Sequence, residues 1–492
     1  MSKNQTTVYL IGAGPGDPQL ISEKGILLLR KADLVLYDFL VHPNLLHHCA
    51  ANTLKICVGK QKGKHSKTQD EIHQIILKYS KTYKNIVRLK GGTPGIFGRC
   101  GDEMSFLKKH NIAYEVIPGI NSGIASAELM GIPLTYRKHA HSVAFLTGSN
   151  KEGLSPNLNQ IPKADTLVIF MGITNLRHLI QALIKSTFYQ KNTPIAIIQN
   201  ASTYKEKYLL ATLDTVVSKQ NHANLNHPAI IIVGKSVELH QQLNWVSQRP
   251  LYQKRIHLPR QISQSQKLYQ ELSLLGADVS ISPAIECVPI AQNTKKITSQ
   301  LLKNQSLLLF TSANSVNYFF QSLKQNHIDF RSFSHCKIVS IGKSCSKQLL
   351  NHGIYADIEA FESNSEGVIK TLKNHIEKEK ILYLSAFKTR GLLEKTLPYL
   401  CTSFSHIPLY QTKYLPINPQ LIQKNDWIIF SSASIVDHVS KQLQNTTLIN
   451  CICYGKQSYN KAKPLFQNTI FLDTNQPLDD LTSKIKNYII KT

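Results

Sequence analysis

Short apolar runs alternate with amphipathic stretches along almost the whole chain, and this alternation restricts the possible folds more than any other feature. Val8–Ile11, Leu34–Tyr37, Ile86–Leu89 and Tyr114–Ile117 have the length and apolar character of buried strands. Between them, Gln19–Lys31 and Asp70–Lys81 carry a helical period. Strands alternating with helices bury a parallel sheet under helical layers, so an α/β architecture is expected throughout. The chain has 492 residues, whereas single cores stop growing at roughly 250–300 residues. Several domains are therefore required. A looser stretch, Ser149–Lys163, precedes a second set of strands at Thr166–Phe170, Ile195–Ile198 and Ala229–Val233. The polar segment Trp245–Lys254, which contains Pro250, is read as the main boundary.

Beyond that boundary the chain repeats itself. Phe310-Thr-Ser-Ala-Asn-Ser-Val316 is echoed by Phe430-Ser-Ser-Ala-Ser-Ile-Val436. Each copy follows an apolar strand, Leu307–Phe310 or Trp427–Phe430, and opens a helix-like stretch. Each is followed by a strand ending in a Gly-Lys turn, at Gly342-Lys343 and Gly455-Lys456. Paired α/β domains sharing a cleft would produce this pattern.

Charge and cysteine usage narrow the partners. The 57 Lys and Arg against 31 Asp and Glu leave a formal charge of +26, which attracts polyanions. The basic residues are spread out and no basic run is interleaved with aromatics, so a small substrate with many carboxylates, or plain solubility, explains the charge as well as nucleic acid does. The nine cysteines form no C-x-x-C pair, which argues for reduced thiols and no metal. Cys451 and Cys453 alternate in an apolar strand and are read as two small core residues on one face. No apolar run approaches the ~18 residues that span a bilayer, and Val8–Gly12 is too short for a signal peptide. A cytoplasmic protein without a membrane partner is expected.

The loop Gly12-Ala-Gly-Pro-Gly-Asp17 joins the first strand to the first helix. Glycines there permit close backbone approach to a ligand. A dinucleotide fingerprint would place a glycine at position 17, where this chain has Asp, and Pro15 lacks an amide for phosphate. A nucleotide-like cofactor without a pyrophosphate fits better. The loop is followed, in order, by Ala32–Val41, Val58-Gly-Lys60, His65-Ser66, Arg88-Leu-Lys-Gly-Gly92, Phe97-Gly-Arg99 and Pro118-Gly-Ile120. Gly131–Thr135, Ser142-Val143, Thr147-Gly148, Met171-Gly172 and Pro228–Gly234 continue the series. Over residues 6–245 this series closely resembles the uroporphyrinogen-III C-methyltransferase family, within the tetrapyrrole methyltransferase fold.

The resemblance implies two α/β subdomains, about 1–137 and 138–245, with the cofactor in the cleft between them and a homodimer as the assembly. It implies S-adenosylmethionine contacts at Pro15, Gly91, Gly92, Thr93, Ile96, Asn121, Ser122, Met171 and Ala201, and a catalytic pair at Asp38 and Lys60. These types suit the chemistry. A pyrrole carbon attacks a sulfonium methyl in line, and a carboxylate such as Asp38 can take the proton from the ring nitrogen. Lys60 can hold a substrate carboxylate or tune Asp38 by its charge. In local sequence alone Asp38 also reads as a helix cap and Lys60 as a solvated charge. The family usually has G-G-D-P followed by a bulky residue, whereas this chain has Gly91-Gly-Thr-Pro-Gly95; Cys100 and Ala201 stand where glycine is common. An alternative reading is therefore a degenerate methyltransferase half.

From about Arg255 onward the chain resembles uroporphyrinogen-III synthase. The carriers are Leu258-Pro-Arg260, Leu275–Asp278, Pro283, Phe310–Asn314, Ile341-Gly342, Ser365-Glu-Gly367, Leu409-Tyr-Gln-Thr412 and Phe430–Ser434. The resemblance implies, after a linker at 246–252, two α/β domains within 253–492. One would comprise about 253–286 plus 413–492, the other about 290–408. It implies closure of hydroxymethylbilane with inversion of the terminal pyrrole, and Tyr410 as a weak acid toward the departing hydroxyl. Arg260, Ser312, Asn314, Ser432 and Ser434 are expected to bind substrate carboxylates; the serines read equally well as ordinary helix caps, and a cap and an anion site share one geometry. The two halves together are expected to make precorrin-2 for siroheme or cobalamin.

Overall fold

The computed structural model describes residues 6–59, 67–149, 161–373, 376–473 and 478–491. Apolar runs between capped helices form four sheets. The first contains β1 (Thr7–Gly12), β2 (Leu34–Tyr37), β3 (Leu54–Cys57), β4 (Asn85–Lys90) and β5 (Ala113–Ile117). Its order is β3-β2-β4-β1-β5 and every pairing is parallel. Helices on both faces bury it, which is why its strands are apolar on both sides. The expected single helix over 19–31 is in fact two pieces. Asp17 accepts from Gln19 N at 2.9 Å to start a short turn with Pro18 in first place. Ser22 then caps Glu23–Lys31 by accepting from Gly25 N at 3.2 Å. Two cap signals close together start two helices.

The second sheet holds β6 (Val143–Thr147), β7 (Thr166–Phe170), β8 (Pro194–Gln199), β9 (Lys207–Thr212) and β10 (Ala229–Val233) in the order β6-β7-β10-β8-β9. Helix Ser122–Leu129 joins the first two sheets: Ala127 packs with Val168, Phe170, Ile198 and Ile232 in one buried cluster. Of the looser stretch 149–163, residues 150–160 lie outside the described residues.

The segment read as a linker is anchored. Leu251 is fully buried in the core of the third sheet, and Arg249 donates to the Ser273 and Leu274 carbonyls. The third sheet begins with β11 (Arg255–Leu258) and β12 (Asp278–Ile281). The chain then leaves to build the fourth from β13 (Ile285–Pro289), β14 (Leu307–Phe310), β15 (Lys337–Ser340), β16 (Ile358–Glu359), β17 (Lys380–Ala386) and β18 (Ser403–Tyr414). It returns to complete the third with β19 (Trp427–Phe430), β20 (Asn450–Tyr454) and β21 (Thr469–Leu472). The orders are β12-β11-β19-β20-β21 and β13-β18-β17-β14-β15-β16. The outgoing and returning connections pair with each other, since β13 runs antiparallel to β18 from Ile285–Tyr414 to Pro289–Tyr410. These strands cross positions 286 and 413, because a hydrogen-bonded ladder continues through them. Cys451 and Cys453 are both fully buried in one cluster, and all nine cysteines are unpaired. Among the described residues, no helix is long and apolar enough to cross a membrane.

Candidate active sites

In the first half, the loops read from sequence gather where the strands of the first sheet end. Asp38 follows β2, Gly91–Thr93 follow β4, and Pro15 lies on the loop after β1. Gly14 and Gly92 form an isolated bridge between two of these loops. A Cβ on Gly12 would stand 2.6 Å from the Gly92 carbonyl, and one on Gly119 would stand 2.5 Å from it. The three loops thus stack backbone against backbone, which only glycine allows. Beside Gly91 nothing lies within 4 Å of a Cβ position, so the peptide edge there faces open space.

The opposite wall comes from the second sheet. Met171, after β7, is exposed and sits at φ 55°, a strained backbone for a side-chain-bearing residue. Ile96 and Ala201 both pack against the shared cluster around Val168 and Ile198. Asn121 is buried and caps helix Ser122–Leu129, its Oδ1 accepting from Gly123 N at 2.9 Å and Ile124 N at 3.2 Å. Ser122 is the first residue of that helix. Thr93 Oγ1 accepts from Gly119 N at 3.4 Å. Open backbone at Gly91, a helix start at Ser122 and apolar contacts from Ile96, Met171 and Ala201 fit a cofactor with polar and apolar parts. Lys60, His65 and Ser66 lie outside the described residues.

Asp38 is a third exposed and does not cap a helix; Arg88 Nη2 donates to its Oδ1 at 2.5 Å. Behind it lies a group that sequence reasoning missed. Arg88, Lys90 and Glu103 are all buried. Glu103 Oε1 accepts from Arg88 Nε at 3.2 Å and from Lys90 Nζ at 2.8 Å, while its Oε2 is buried without a partner. Burial, then the adjacent Arg88, push Lys90 below the ordinary lysine value of 10.5. The available signal was Arg88 and Lys90 alternating at the end of an otherwise apolar strand.

In the second half, the C-terminal ends of the third and fourth sheets face each other. Two polar bridges cross this cleft: Gln264 Nε2 donates to Asn314 Oδ1 at 3.3 Å, and Arg390 Nη2 to Gln457 Oε1 at 3.2 Å. Arg260 donates to Gln264 Oε1 at 3.2 Å, and its Nε is buried without a partner. Ser312 caps helix Ala313–Gln325 through Ser315 N and lies 3.0 Å from the Tyr410 hydroxyl. Tyr410 is buried and stacked on Tyr318 at 5.3 Å, and burial raises its hydroxyl above the usual 10.0. A cavity of about 270 Å³ opens beside Ser312 and Asn314. Ser432 caps helix Ala433–Ser440, with Ser434 Oγ 3.1 Å from its own. Tyr410, Ser312, Asn314 and Arg260 are therefore brought together through Gln264. Ser432 and Ser434 open the helix that follows β19, the neighbour of β11. Among the described residues, no three His, Cys, Asp or Glu side chains are grouped to hold a metal.

The tetrapyrrole (corrin/porphyrin) methylase family matches residues 7–217, and the uroporphyrinogen-III synthase HemD family matches residues 266–469. The porphyrin biosynthesis protein HemD of Ruminiclostridium josui is 33% identical over 472 residues, 93% of each chain. The uroporphyrinogen-III C-methyltransferase of Methanocaldococcus jannaschii is 46% identical over 234 residues, covering 47% of this chain and 97% of that one. The crystal structure of the Thermus thermophilus uroporphyrin-III C-methyltransferase, complexed with S-adenosyl homocysteine, matches 47% of this chain and 99% of its own at 36% identity and a TM-score of 0.42. Two α/β enzymes of tetrapyrrole chemistry are thus joined in one polypeptide. The chain belongs to the tetrapyrrole methylases through its first half and to the uroporphyrinogen-III synthases through its second, as an S-adenosylmethionine-dependent C-methyltransferase and synthase.

Proposed function

We propose that the second half closes hydroxymethylbilane to uroporphyrinogen III, and that the first half methylates it twice to precorrin-2, on the siroheme and cobalamin branch. The observation that carries the reading is the Arg88–Asp38 pair, a buried guanidinium holding a partly exposed carboxylate at the strand-end edge that also carries Gly91. The electrophilic methyl is what S-adenosylmethionine supplies when bound. Pro15, Gly91, Gly92, Thr93, Ile96, Asn121, Ser122, Met171 and Ala201 hold it. Asp38, held in place by the Arg88 guanidinium, accepts the proton released from a pyrrole nitrogen. Phe39 and Leu40 stand exposed beside it and offer an apolar face to the macrocycle. Lys60, which lies outside the described residues, is the second member of the proposed pair. Alignment of the two reactants is the larger part of the catalysis and is worth up to ~7–11 kcal/mol.

In the synthase cleft, the Tyr410 hydroxyl is protonated at neutral pH as any tyrosine's is, and burial raises it further. It donates to the departing hydroxide, while Ser312 orients it and the ends of the capped helices, with Arg260, hold the carboxylates. The methyltransferase half forms a homodimer, and the partners are small tetrapyrroles, not nucleic acid.

Thr93 and Gly95 favour a second reading, an active synthase with a weakened methyltransferase. Thr93 supplies no charged acceptor to the cleft, and Gly95 has nothing within 4 Å of a Cβ position. One experiment separates the two. The purified protein receives hydroxymethylbilane and methyl-labelled S-adenosylmethionine, and the tetrapyrrole isomer and its label are identified. Labelled type III macrocycle supports the bifunctional reading, unlabelled type III the weakened one. Type I isomer alone removes the synthase claim.

A further inference from the structure

The two halves meet along the outer edge of the third sheet. β12 has β11 as its single neighbour in the sheet, so its other side presents backbone groups that need partners. Asn44 supplies them. Its Nδ2 donates to the Val279 carbonyl at 2.7 Å and its Oδ1 accepts from Ile281 N at 3.1 Å. One buried side-chain amide thus stands in for the peptide group of a further strand. His47 donates to the Ile281 carbonyl at 2.9 Å. At the start of the same strand, the largely buried Asp278 carboxylate lies 3.4 Å from His42 Nε2 and accepts from Tyr204 N at 3.3 Å. Arg255 lies over the Tyr204 ring at 4.4 Å.

A second chain of hydrogen bonds leads from the junction into the glycine loop. The Tyr252 hydroxyl donates to Glu206 Oε1 at 2.7 Å, Ser202 N donates to Glu206 Oε2 at 2.9 Å, and Asp17 N donates to Ser202 Oγ at 3.0 Å. Asp17 closes the loop that carries Pro15. Asn44 belongs to the loop that carries Asp38, whose carbonyl accepts from Val41 N at 3.1 Å. Both loops are thus fastened at their outer ends to the synthase half, and the joint touches both subdomains of the methyltransferase.

We propose that this joint is a docking surface through which the synthase half positions the methyltransferase's cofactor loops. Its occupant is the outer edge of a parallel sheet with a carboxylate at its start, supplied by the same chain. Asn44, Asp278 and Tyr252 are positioning residues, acting through the loops of Asp38 and Pro15. Preorganised loops bind a cofactor without the entropy cost of ordering them. The inference rests on the proposed methyl-transfer role of those loops.

The full-length chain tests it with Asn44→Asp, which turns a donor into an acceptor facing the Val279 carbonyl, and with Tyr252→Phe, which removes a single hydroxyl. Amide exchange at residues 12–17 and 38–45 is measured with S-adenosylhomocysteine affinity by calorimetry, and cyclisation rate and melting serve as controls. The Asn44→Asp variant is expected to exchange about tenfold faster in both loops and to bind S-adenosylhomocysteine about three- to tenfold more weakly. Its KM for S-adenosylmethionine rises more than its kcat falls, and cyclisation is unchanged. Tyr252→Phe gives the same direction at smaller size, and decides the matter alone if the first variant fails to fold. Unchanged loop exchange overturns the proposal. If wild type binds no S-adenosylhomocysteine while the exchange effect is present, the joint stands and the methyl-transfer reading falls instead.

Discussion

Glu103→Gln is the most informative single change in the first half. The buried group sums to zero charge, with Arg88 and Lys90 set against Glu103 and the partly exposed Asp38. Glutamine keeps the shape and one acceptor but leaves a net positive charge inside the sheet. At contacts of 2.8 and 3.2 Å, with an effective dielectric of about 20, each lost attraction is worth about 5 kcal/mol. That sum is a ceiling, because Lys90 escapes by losing its proton. Burial and Arg88 already hold it below 10.5 and Glu103 opposes them, so without Glu103 it falls further. Breaking one side of a buried pair then costs about 3–5 kcal/mol. The pH dependence follows from the same fact. Between the depressed native value and 10.5 the unfolded Lys90 binds a proton that the native variant has released, so stability rises with pH across that window. The deficit against wild type therefore shrinks as pH is raised above neutral. Because a chain with four sheets does not unfold in one step, the measurement is native-state amide exchange in β4 at pH 7 and pH 9. A deficit below about 0.5 kcal/mol, or one that widens with pH, would refute the reasoning.

Thr93→Asp is expected to tighten S-adenosylhomocysteine binding by roughly tenfold, since a charge-assisted hydrogen bond is worth about 1.5–3 kcal/mol; unchanged affinity by calorimetry counts against it. Tyr410→Phe is expected to slow cyclisation by about a hundredfold or more while costing only about 1 kcal/mol of stability, as judged by the rate of type III isomer formation and by melting. Gly119→Ala drives a methyl group into the Gly92 carbonyl and is expected to destabilise the first sheet by more than about 1 kcal/mol, visible as a lower melting temperature. Burial holds His47, His48 and His406 below 6.5, so the unfolded chain takes up their protons first and stability falls as pH drops below that value. A melting temperature that is flat between pH 7.5 and 5.5 would contradict this.

What could be read in advance divides along a physical line. Periodicity and caps are local, so the strands near residues 8, 34, 86 and 114 and both Ser-rich turns were legible to within a residue or two. Pro18 and Ser22 also carried their information locally, yet a helical period running across them masked the break at Ile21. The glycine loops were legible because their crowding forbids a Cβ at Gly12 and Gly119, a constraint written in residue type. Glu103 and Asn44 behave otherwise. Glu103 sits in the first turn of helix Cys100–Lys109, where an acidic residue is ordinary. Asn44 follows Pro43 in the first turn of the short 3-10 helix Pro43–His48, where asparagine is ordinary too. Their roles exist only once β4 lies against that helix and β12 against that turn, 235 residues further along the chain. A polar side chain whose partner is distant looks the same in sequence as one facing water. The buried charges under Asp38 and the joint between the halves had to come from the structure for that reason, and each holds the loop that carries Asp38 from a different side.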